Sequence, residues 1–104
     1  MKRLYEIELQ KKPDAKKLLE SDPYAEVSFA RNGYKLKDGA SLGAGEASKS
    51  YLLLASEDEK FFSFAKEKLG DLAKEVEGGV KEKVIAKIEE EEAGAEAGVG
   101  AIFG

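Results

Sequence analysis

The chain has 104 residues with 17 basic and 21 acidic side chains, a net charge of −4, and 42% hydrophobic residues, which is enough for one modest domain. It contains no cysteine and no histidine, which excludes disulfides, thiolate metal sites, a cysteine nucleophile and the commonest general base. All 17 basic residues and 16 of the 21 acidic ones fall in residues 1–88, so that stretch carries +1 and residues 89–104 carry −5; the asymmetry predicts a domain over 1–88 and a separate acidic tail over 89–104.

Taken in order, Leu4 to Leu9 alternates, with Tyr5, Ile7 and Leu9 on one side and Glu6 and Glu8 on the other, and reads as a half-buried strand. Lys11 to Pro13 breaks it. Asp14 then caps a short helix whose Ala15, Leu18 and Leu19 share a face, ending before Ser21-Asp22-Pro23. Tyr24 to Arg31 alternates again, with Ala25, Val27 and Phe29 inward. Asn32-Gly33 suits a type I′ hairpin turn into a return strand, Tyr34 to Lys37. Gly39 to Ser48 is a flexible loop. Lys49 to Ala55 is apolar on both faces, Tyr51 and Leu53 on one and Leu52 and Leu54 on the other, as suits the middle of a sheet. Ser56 to Gly79 reads as one long helix. A Ser56–Glu59 capping box opens it, Phe61, Phe62, Ala65, Leu69, Leu72, Ala73 and Val76 form its stripe, and Gly78 and Gly79 stop it. Val80 to Ile88 is a last strand, with Val84, Ala86 and Ile88 opposite Ile85.

The resulting order, β-α-β-β-β-α-β, predicts an α+β protein: a two-layer sandwich with a mainly antiparallel sheet and both helices on one face. The other face then carries Leu4, Leu52, Leu54 and Ile85. An open apolar face of that kind is expected to pair two copies into a homodimer, or to be covered by a loop or the tail.

Chemistry is sparse. Gly43-Ala44-Gly45-Glu46-Ala47-Ser48-Lys49-Ser50 comes near a phosphate-binding loop, but Ser48 stands where the second glycine belongs and a strand follows where a helix should open. No nucleotide or other cofactor is expected. The paired Glu6 and Glu8 read as a solvated strand side, and Tyr5, Tyr34 and Tyr51 as core residues that converge on the inner face. The lysines at 11, 12, 16 and 17, and Arg31, Lys35 and Lys37, are interleaved with Glu20, Glu26 and Asp38, so no nucleic-acid partner is expected. The Glu89 to Glu92 run lacks the spacing of a calcium loop, and no metal is expected there. No run is apolar enough for a membrane span, and MKRLYEIELQ does not read as a signal peptide; a soluble, cytoplasmic protein is the expectation. Lysine and glutamate dominate the charges and Gln10 and Asn32 are the only side-chain amides, a composition of thermophilic proteins.

The tail, EEEEAGAEAGVGAIFG, is acidic, then small and flexible, and closes on Val99, Ile102 and Phe103. Those three fall on one side of a helical turn, as a segment that docks into a groove requires. The segment resembles the C-terminal tails of archaeal ribosomal stalk proteins, which run from an acidic linker into a Gly-x-Gly-Ala-Leu-Phe-Gly-like end. The resemblance implies capture of translation GTPases through Val99, Ile102 and Phe103. It covers residues 89–104 alone, since the strand-rich body is unlike that family's all-helical dimerisation domain. A disordered end, or a segment that joins the fold, are the other readings of the tail. The protein is thus read as a non-enzymatic interaction module; the alternative is a small enzyme using Glu, Lys or Tyr chemistry in a sheet-edge pocket.

Overall fold

The computed structural model describes residues 1–21 and 24–103, with side chains as far as Glu92. At its centre β1 (Lys2–Glu8) and β3 (Lys49–Ala55) pair antiparallel, with Leu4 opposite Leu53 and Tyr5 opposite Leu52. β2 (Lys35–Asp38) pairs with the outer side of β3, and β4 (Lys74–Val76) with the outer side of β1. The sheet order is therefore β2-β3-β1-β4, antiparallel throughout. The α+β class stands. β3 is internal because its run Tyr51-Leu52-Leu53-Leu54 is buried on both faces and needs cover above and below.

That cover comes from helices on both sides. On one face Tyr5, Ile7, Leu52 and Leu54 meet Ala15 and Leu19 of α1 (Lys12–Glu20), Phe29 of α2 (Phe29–Asn32), and the apolar stripe of α4 (Glu59–Leu69). The rings of Phe29 and Phe61 pack edge to face with centroids 5.9 Å apart, the geometry that aromatic quadrupoles favour. On the other face Leu4, Tyr51, Leu53 and Val76 meet Leu42 of α3 (Gly39–Leu42) and Val84 and Ile88 of α5 (Gly78–Phe103). The expected two-layer sandwich with both helices on one face is thus corrected to helices on each face of the sheet.

The predicted long helix differs from expectation at both ends, each for a local reason. The long helix stops at Leu69, not at Gly78. Gly70 has φ +48, a conformation other residues resist, and the chain passes through a turn at Gly70–Leu72 into β4. Val76, expected to continue the helical stripe, instead pairs with Leu4 at the sheet edge. The capping box does not form: Asp58 is the cap, its Oδ1 accepting from the Lys60 amide at 2.9 Å, while Ser56 Oγ accepts from the Asp58 amide.

The expected strand over Val80 to Ile88 is part of helix α5, and Val84 and Ile88 lie one helical step apart against the sheet. The expected strand over Tyr24 to Arg31 does not form either. Ala25 and Val27 are exposed, the buried Ser28 caps the single turn α2 by accepting from the Arg31 amide at 3.1 Å, and of the three residues expected inward Phe29 is the buried one. Asn32-Gly33 consequently ends a helical turn rather than joining two strands, and Asn32 Nδ2 donates to the Ala55 carbonyl at the end of β3. α1 starts at Lys12 with Pro13 in its first turn, so Asp14 lies inside that turn rather than capping it.

Candidate functional site

Where α5 begins, an open cleft of about 510 Å³ lies between the helix, the sheet and the loop from α3 to β3. Its floor is Tyr51 and Val76, and Glu6, Glu46, Val80 and Lys83 line its walls. The loop is fitted to the tyrosine. Gly45 has φ +71, and a Cβ there would stand 2.4 Å from Tyr51 Oη. The freed space lets Tyr51 Oη accept from the Glu46 amide at 2.7 Å, so the phenol is both buried and bonded. The near phosphate-loop sequence is therefore built around a tyrosine side chain, and Ser48-Lys49 leads into a strand, as expected.

At the cleft's edge Lys49 Nζ lies 3.3 Å from Glu6 Oε1 and 3.8 Å from Glu46 Oε2. The hydrogen bond to Glu6 raises the Lys49 pKa above its ordinary value, which favours the ammonium form. Among the described residues no cluster of carboxylates is spaced to hold a metal ion.

The three tyrosines do not converge. Register places Tyr5 opposite Leu52 and Tyr51 opposite Glu6, so Tyr5 and Tyr51 point to opposite faces, and Tyr34 packs from the edge of the first core. Burial raises the Tyr5 phenol above its usual pKa, and Glu75 pushes the same way while Arg3 opposes both. Among the described residues its Oη has no hydrogen-bond partner of normal geometry.

The four residues expected to form a dimer face do not form one surface. Leu52 and Leu54 belong to the first core, Leu4 to the second, and Ile85 packs at the margin of the second; the first three are fully buried. The cause is register: Leu4 faces Leu53, so the face it shares is the opposite one from Leu52. The partner-binding candidates Val99, Ile102 and Phe103 lie outside the residues whose side chains are described. Their helix is continuous across the expected domain boundary at Ile88, and two of the acidic residues just past it reach the body: Lys2 bonds Glu89 and Lys35 bonds Glu92. Nothing in the sequence marked those partners, since each pair joins residues far apart in the chain.

Among the described residues no helix is long and apolar enough to cross a membrane. Neither family models, nor curated proteins, nor solved structures compared with this chain match it.

Proposed function

We propose that this protein is a non-enzymatic interaction module that docks a partner through Val99, Ile102 and Phe103. One observation carries the reading: among the described residues, side chains no later than Ile88 already cover both faces of the sheet. Three apolar residues that follow an acidic segment match the chemistry of a helix that presents anchors to a groove. The resemblance of residues 89–104 to archaeal stalk tails names the partner class as translation GTPases. Homodimerisation loses its argument from an open sheet face, since Leu4, Leu52 and Leu54 are used inside the subunit. The alternative, carboxylate or lysine chemistry at a sheet edge, has the Tyr51 cleft as its place, with Lys49 paired to Glu6 at its edge.

The test is binding of the full chain to a purified archaeal elongation GTPase, followed by fluorescence anisotropy. Phe103→Ala is expected to weaken binding by about thirty-fold, equivalent to about 2 kcal/mol for a buried aromatic anchor. Equal affinity for the unaltered chain and for Phe103→Ala would refute docking through this end.

A further inference from the structure

Helix α5 changes character as it passes from the centre of the sheet to its end. On the side that faces the sheet, Val84 and Ile88 are buried and Ile85 is partly so. The next residues at the same three- and four-residue steps are Glu89 and Glu92. The sheet changes in parallel. Leu53 is opposite both Leu4 and Lys35, and Lys2 lies two residues from Leu4, so all four share the face under α5. Leucines meet the apolar turns of the helix. Lysines meet its acidic turn, with Lys2 Nζ donating to Glu89 and Lys35 Nζ to Glu92. Glu90 and Glu91 are exposed, and among the described residues Glu90 pairs with Lys87 on its own helix at 3.6 Å. Under the two contacts is a groove of about 350 Å³, bounded by Lys2, Lys35 and Glu89 and by Tyr34, Leu53 and Ala55.

We infer that Lys2 and Lys35 form a two-point clasp that holds the acidic turn of α5 down on the sheet, and that opening it frees the turn at Glu89–Glu92 and uncovers the groove. Glu89 and Glu92 are like charges three residues apart on one side of the helix, a destabilising pair, and each is paired with a lysine while the helix lies on the sheet. Half-exposed pairs of this kind are weak and screened by salt, so the clasp is reversible under ordinary conditions. A partner that takes the helix end would open it, and by linkage opening it would favour the partner. That consequence rests on the docking function proposed above; the clasp does not.

Amide exchange along the full chain at neutral pH and low salt tests it. Replacing both lysines (Lys2→Ala with Lys35→Ala) is expected to speed exchange at Glu89–Glu92 by about two- to ten-fold, with β1 and β3 unchanged. Raising the salt to about 1 M should do the same to the unaltered chain. Lys2→Glu should accelerate exchange there, and adding Glu89→Lys should restore it. Unchanged exchange at Glu89–Glu92 in the double alanine variant would overturn the clasp, as would acceleration spread evenly over the strands, or failure of the charge swap to restore protection. Should the clasp behave as expected while an elongation GTPase ignores the chain, the docking function fails alone.

Discussion

Asp38 shows how one carboxylate ties three segments together. Its Oδ1 accepts from Lys12 Nζ at 2.6 Å and from Ser50 Oγ at 2.7 Å, joining the end of β2 to the start of α1 and to the buried serine of β3. The hydrogen bond from Lys12, then that from Ser50, holds the Asp38 carboxyl below its ordinary pKa of 3.8. A carboxylate depressed in the folded state contributes stability that is present above its unfolded pKa and lost as pH falls through the folded one. Asp38→Asn is therefore expected to lower the melting temperature at pH 7 and to flatten its decline below about pH 4. Thermal melts from pH 7 to pH 2 measure this; an identical acid limb in both proteins would remove Asp38 from the linkage. None of this was visible in the sequence, where Lys12 read as part of a basic cluster and Ser50 as part of a near phosphate loop. A side chain's partner across the fold is fixed by topology, which local residue spacing does not encode.

At the scale of elements, α5 is the feature on which the arrangement turns. Val80, Val84 and Ile88 recur at four-residue steps, but Val84, Ala86 and Ile88 also alternate, and over nine residues the two periods compete. The helix prevails because the sheet's second face, with Leu4, Tyr51 and Leu53, needs a cover and the preceding turn delivers the chain onto it. Ile88→Ala should cost about 2–5 kcal/mol through loss of buried volume against that face, whereas Val80→Ala, at a position 48% exposed, should change stability by no more than about 0.5 kcal/mol. Equal costs in urea unfolding would contradict a helix seated through its Val84–Ile88 side. The central strand β3 was legible because its apolar run agrees with its burial, and the first strand β1 because Tyr5 and Ile7 are inward as the alternation predicts; Leu9, expected beside them, is exposed in the turn that follows. Gly70 was the missed signal. It stands inside an unbroken apolar stripe, and only its positive φ shows that the stripe belongs to a helix followed by a strand.

Over the whole molecule, charge and packing divide the chain at slightly different places. Composition puts the break after Ile88, where the glutamates begin. The packed unit extends one turn further, since Glu89 and Glu92 are held by Lys2 and Lys35. The acidic run is therefore partly a fastening for α5, through Glu89 and Glu92. The most direct measurement is the thermal and urea unfolding of a chain ending at Glu92 beside the full chain. The expected result is the same transition, to within about 0.5 kcal/mol, because two covered sheet faces and both lysine contacts are retained. A shorter chain less stable by more than about 2 kcal/mol would mean that the end of the molecule completes the core, and would leave Val99, Ile102 and Phe103 with no partner to seek.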